Sequence, residues 1–152
     1  MLACLLVSLS GCSSAATSSS GAETALAPQE TKEDEIVKIE EKRFVTKING
    51  IYIDSKDYIG KTLQYEGFFN IATDELAGET VYSVIRYGPG CCGTDGNPGF
   101  EVWLEGEVPK QGDWVEVTGI LGEYPKDGYL CLFLAVEEIR VLSRRGAEYV
   151  FE

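Results

Sequence analysis

The residues best suited to chemistry in this chain lie close together. Cys91 and Cys92 are adjacent, Asp95 follows shortly after, and Arg86 stands just upstream. They fall in Arg86-Tyr87-Gly88-Pro89-Gly90-Cys91-Cys92-Gly93-Thr94-Asp95-Gly96-Asn97-Pro98-Gly99, a stretch so rich in Gly and Pro that it predicts a long loop with no strand or helix running through it. Two thiolates and a carboxylate form a donor set for a soft divalent ion such as zinc, with Cys131 available as a fourth ligand. Adjacent cysteines reach one ion only through an unusual backbone, which glycine permits. The same sulfurs allow other arrangements. Cys131 can close a structural disulfide with Cys91 or Cys92, the thiols can be buried and inert, or Cys91 and Cys92 can form a strained vicinal disulfide. Arg86 has two readings too. It is a strand-end charge paired with a nearby Glu, or a supporting cation that holds Asp95 and lowers the thiol pKa.

What is missing narrows the chemistry. The chain has no His, so a His-dependent triad and a His-based zinc site are impossible. No Cys-x-x-Cys pair and no phosphate-binding loop appears. The expectation is a binding protein and not an enzyme. The net charge of −12 argues against nucleic acid and against anionic lipid headgroups as partners, since both call for a basic face. Solubility outside the cell is the plain reading of that charge.

The elements that must carry these groups are mostly β. Phe44, Ile48 and Tyr52, with Ile51 beside them, have helical spacing and predict a short helix over roughly 40–52. Asp54-Ser55-Lys56-Asp57 is then a turn. Lys61–Gly67 alternates, with Leu63 and Tyr65 inward. Thr80–Tyr87, Phe100–Leu104, Trp114–Leu121 and Tyr129–Leu142 supply four more strands, the last with a bend or stop at Glu137-Glu138. Gly60–Gly67 and Gly112–Gly119 echo each other: Gly, a charge, an alternating strand, then Gly. Glycine inside a strand marks a tight bend. Short, bent strands predict an all-β domain, a small five-stranded OB-fold-like barrel with a short N-terminal helix, with a β-sandwich as the rival. Trp103, Trp114, Tyr124 and Tyr129 belong to the core or the barrel rim. Sharing an exposed face, they could stack a sugar or grip a protein partner.

The start of the chain has a chemistry of its own. Ala3–Leu9 is a short apolar run, and Leu9-Ser10-Gly11-Cys12 matches a lipoprotein signal motif. Small residues before Cys12 fit a signal peptidase, and its thiol takes the diacylglycerol. No Lys or Arg precedes Cys12, as a start codon placed too far downstream would leave it. The expected layout is a signal peptide with its lipobox over 1–12, a flexible stalk over 13–40, an OB-like barrel over 41–145 and a tail over 146–152. Cys12, carrying palmitate-type acyl chains, would hold the protein on the outer side of the cell membrane.

Taken in order, Gly60-Lys61, Gly67-Phe68, Arg86, Cys91-Cys92, Asp95, Pro98 and Trp114-Val115-Glu116-Val117-Thr118-Gly119 resemble the C-terminal domain of the YcgQ-like permease-subunit proteins of bacteria. The resemblance covers roughly residues 44–142, and its specific part is the Cys-Cys-x-x-Asp loop. Gly93-Thr94-Asp95-Gly96 stands where that family carries Ala on both sides of Asp, and a lipid anchor replaces its N-terminal transmembrane helices. The resemblance implies an extracytoplasmic module beside a membrane permease, with a link to metal handling, zinc included.

Overall fold

The computed structural model describes residues 35–74, 78–90 and 93–152. The predicted signal peptide, Cys12 and the stalk as far as residue 34 lie outside the described residues. Past a three-residue strand β1 (Val37–Ile39) the chain forms the helix α1 (Phe44–Ile53), then β2 (Thr62–Asp74), β3 (Glu79–Ile85), β4 (Gly88–Gly90), β5 (Gly93–Gly96), β6 (Gly99–Trp103), β7 (Trp114–Lys126) and β8 (Tyr129–Val141). The described residues are mostly strand, with one short helix.

Six strands make one sheet in the order β1-β2-β3-β6-β8-β7, and β7 pairs back onto β2. Five of them therefore form a ring, with β1 laid parallel to β2 outside it. Long bent strands make the ring possible. The first half of β2 pairs with β7, Thr62 opposite Ile120 through Phe68 opposite Trp114. Its second half pairs with β3, Phe68 opposite Ile85 through Asp74 opposite Glu79. Gly67 stands where β2 changes neighbours. A Cβ there would lie 2.8 Å from the Ile85 carbonyl oxygen. Gly119, its counterpart in the sequence echo, is just as crowded, because a Cβ would lie 2.5 Å from the Ala135 carbonyl oxygen. The β7–β8 register shifts at Thr118/Gly119, leaving Glu137 as the extra residue. A bulge bends its strand, so Glu137-Glu138 bends β8 and does not end it.

Alternation fills the ring. Leu63, Tyr65, Phe100, Val102, Val115, Val117, Leu132 and Leu134 all point inward and are buried. Phe44, Ile48 and Ile51 of α1 are buried with them. The buried stripe runs through Ile51, while Tyr52 stays half exposed. The Tyr65 phenol, 2% exposed, is answered on both sides. Tyr65 Oη donates to the Val84 carbonyl (2.9 Å) and accepts from the Phe100 N–H (3.2 Å). Burial pushes its pKa far up.

Three expectations are corrected. The Gly-rich run is not free of strands: β4 and β5 pair antiparallel, Gly88 opposite Gly96 and Gly90 opposite Gly93. Glycine at all four positions reads as loop by composition, yet it lets two backbones pair without side chains. The segment read as stalk ends earlier, because Val37–Ile39 joins the sheet. The tail is built into the fold. Tyr87 N–H donates to the Glu148 carbonyl (2.8 Å), Val150 N–H to that of Tyr87 (2.9 Å) and Val45 N–H to that of Glu152 (2.7 Å).

Tyr65→Phe should destabilise the domain by about 1–3 kcal/mol, because it leaves the buried Phe100 N–H without its acceptor. Urea unfolding checks this. The midpoint should fall with the slope unchanged, and an unchanged midpoint would remove the role given to this hydroxyl.

Candidate functional site

The predicted metal ligands are reached unevenly. Cys91 and Cys92 lie outside the described residues, and Asp95 is described only as main chain in β5. Cys131 is a free thiol, partly exposed. It stands opposite Tyr124 in the β7–β8 ladder. With Leu132 and Leu134 inward, Cys131 shares the outer face with Tyr129 and Phe133. The parallel register of β6 and β8, Glu101 opposite Phe133, sets Cys131 toward the Gly99 end of β6. Tyr52 is there as well: its hydroxyl donates to the Gly99 carbonyl (3.1 Å). Burial, with Cys131 and Glu101 nearby, pushes that phenol up to about 12. Among the described residues no three Cys, Asp or Glu side chains converge as a metal site.

Arg86 is nearly sealed from solvent, with 2% exposure. Its guanidinium lies over the Phe44 ring (4.7 Å) and the Trp114 ring (5.0 Å). Nε donates to the Glu66 carbonyl (2.8 Å), and Nη1 donates to Glu41 Oε2 (3.0 Å) and the Ala147 carbonyl (3.2 Å). Trp114 Nε1 donates to Glu66 Oε2 (3.1 Å). Glu41 Oε2 also accepts from the Ala147 N–H (2.8 Å). That backbone bond first, and Arg86 second, hold the Glu41 carboxyl below its ordinary value.

A second constellation lies on the outer face of β6, β8 and β7. On β6, Phe100 and Val102 are buried, so Glu101 and Trp103 face out. Trp103 is 46% exposed. Its indole stacks on the Phe133 ring, with centroids 3.6 Å apart and planes 19° from parallel. Phe133 in turn lies over Gly122, where a Cβ would come within 2.6 Å of the ring. Tyr124 completes the group, its ring 5.2 Å from Trp103 and 5.9 Å from Phe133. The Glu101 carboxylate is pinned between two donors, Trp103 Nε1 at 2.7 Å and Tyr124 Oη at 2.6 Å. Burial and the bond to Glu101 push the Tyr124 hydroxyl up, so it stays protonated. Trp103 fronts a cleft of about 520 Å³, walled by Glu79, Thr80 and Val81 of β3, by Glu101, and by Tyr124, Pro125 and Lys126 of β7. Trp103, Tyr124 and Tyr129 were legible as aromatic candidates. Phe133, Glu101 and Gly122 were not, although the in-out alternation of β6 already sends Glu101 and Trp103 to one face.

Glu41→Gln should lower stability at pH 7 by roughly 1 kcal/mol or less, since half of that side chain is open to solvent and screened. The sign of the pH effect follows from a lowered folded-state pKa. The carboxylate's contribution is complete above the ordinary glutamate value of 4.5 and is lost as pH falls through the folded value. The gap between wild type and variant in thermal unfolding should therefore close on acidification below pH 4.5. A gap that persisted unchanged would show that the charge is not what Glu41 contributes.

No curated protein matches the chain. A family sequence model does, over residues 14–152. That span takes in every described element and the whole of the region, roughly 44–142, that resembles the YcgQ-like C-terminal domain. The chain belongs to the DUF1980 C-terminal domain family.

Proposed function

We propose that this domain is a non-catalytic binding module of the bacterial envelope, tethered through Cys12, whose ligand seat is the Trp103 cleft. The observation that carries the reading is the pinned carboxylate. Glu101 accepts from Trp103 and Tyr124 at 2.7 and 2.6 Å, which fixes two aromatic rings and an acid on the outer face of three strands. Side chains locked by one another on strands make a pre-organised seat, and less freedom is lost when a ligand arrives.

The connectivity supports an OB-like reading. Taken in chain order, the ring strands pair first-second-third-fifth-fourth and back to first, with the third and fifth parallel. OB-folds bind oligosaccharides and oligonucleotides on the face of their second and third strands, between the loop joining the first two and the loop joining the last two. The Trp103 cleft is walled by β3, β6 and the end of β7, the corresponding surface here. Cys131, the member of the predicted metal set whose side chain is described, keeps company with Tyr124 on this same face.

The test uses the full chain with Cys12→Ser, so that acyl chains do not carry it to membranes. It should sediment with washed envelopes of the bacterium that makes it. Trp103→Ala should weaken that binding about tenfold or more, as loss of a central aromatic anchor does. Phe151→Ala, exposed in the tail and not in the cleft wall, should not. Binding that is absent in the parent chain, or equal in Trp103→Ala, would overturn the cleft as the seat.

A further inference from the structure

The shape of the platform and the chemistry at its rim narrow the class of ligand, given the reading above that the Trp103 cleft is the seat. We infer that the cleft takes a neutral, polyhydroxylated sugar ring of an envelope glycan.

One indole face is spent on Phe133, at 3.6 Å and 19°. Trp103 is still 46% exposed and lines the cleft. What remains is a flat apolar plate, and the C–H face of a pyranose is a flat apolar surface that a plate of this kind covers. The rim answers the hydroxyls. Glu101 holds one oxygen against Trp103 Nε1 and the other against Tyr124 Oη. Each carboxylate oxygen keeps a further lone pair. A sugar lying on the indole brings its ring hydroxyls to that edge, where they donate to Glu101. The Tyr124 oxygen, already a donor to Glu101, has acceptor capacity left for another. The cleft volume of about 520 Å³ falls within the usual range for small-ligand sites. Tyr129 stands on the same outer face, paired with Lys126 and 77% exposed. It lies about 13 Å along β8 from Phe133, where a chain of sugar rings would pass.

Other occupants fit less well. A quaternary ammonium calls for several ring faces turned on one point, and here Trp103 and Phe133 are turned on each other. A nucleic acid strand meets a chain of net charge −12, and in the cleft wall Glu79 and Glu101 outnumber Lys126. Phosphate-bearing polymers meet the same repulsion.

The experiment titrates the full Cys12→Ser chain with soluble β-1,4-linked N-acetylglucosamine and glucose oligomers. Choline and a proline-rich peptide serve as rival probes. Trp114 is buried at 2% exposure, so a change in tryptophan emission reports chiefly on Trp103. A sugar oligomer should give a saturable change, weakened about threefold in Tyr124→Phe; in Trp103→Ala, which removes the reporter, binding is read by calorimetry and should weaken at least tenfold. Tyr124→Phe deletes one hydroxyl and guards against misfolding of Trp103→Ala. If neither oligomer binds while envelope sedimentation still depends on Trp103, the sugar class is overturned and the seat stands. A response to choline or to the peptide alone overturns it as well. If envelope sedimentation survives Trp103→Ala, it is the seat that fails.

Discussion

A buried positive charge has to be met from every side, because no water can replace a lost partner. Arg86 is met by several separate parts of the chain. The Glu66 carbonyl belongs to β2 at its bend, Glu41 precedes α1, and the Ala147 carbonyl comes from the tail. Two rings close over the plane, Phe44 from the first turn of α1 and Trp114 from the start of β7. Each partner alone is a modest interaction. Together they index the helix, the tail and the ring to one point. The side chain of Glu66 adds a further tie, since it accepts from Trp114.

That fixed point sets what the rest of the domain can do. Phe44 held over the guanidinium aims Ile48 and Ile51 into the ring, so the helix plugs it. The tail then pairs with Tyr87, one residue beyond the clamp and one before β4. The base of the Gly-rich hairpin is thus braced by the clamp, while the aromatic face is built on other strands. Glu101 of β6, Phe133 of β8 and Gly122 of β7 stand in one row across the sheet. The absence of a Cβ at Gly122 lets Phe133 lie down, and Phe133 then backs Trp103. Rigidity on this face comes from strand register, and a loop is not needed to supply it.

What was legible in the sequence was whatever repeats at short range. Leu63 and Tyr65 alternate and both point inward. Phe44 and Ile48 follow helical spacing, and the echo of Gly67 in Gly119 marks two real bends. What was hidden depends on partners far away along the chain. Glu41 gives no local sign that it will meet Arg86. Three residues are too few for β1 to show a period, and four glycines hide a hairpin. The outer face was hidden for another reason. Tyr129–Val136 is almost wholly apolar, so alternation cannot say which side Phe133 and Cys131 take. Only the register with β7 decides it, and register is not written in either strand alone.

The charge and the aromatic face fit together once the tether is considered. Under the proposed anchor, residues 13–34 reach at most roughly 75 Å when fully extended. Electrostatic repulsion from an anionic leaflet fades over about 10 Å. An acidic domain held as proposed on such a stalk would be pushed off the membrane but not out of the envelope. A neutral ligand is then the class whose recognition that charge does not oppose. Affinity need not be high at a single ring, because a glycan repeats its rings and a tether confines the module among them. Strong binding at one site would even work against a tethered module, since it would fix the domain to the first ring met. A shallow plate with two pinned acceptors is the kind of seat that binds weakly, releases quickly and samples a polymer along its length.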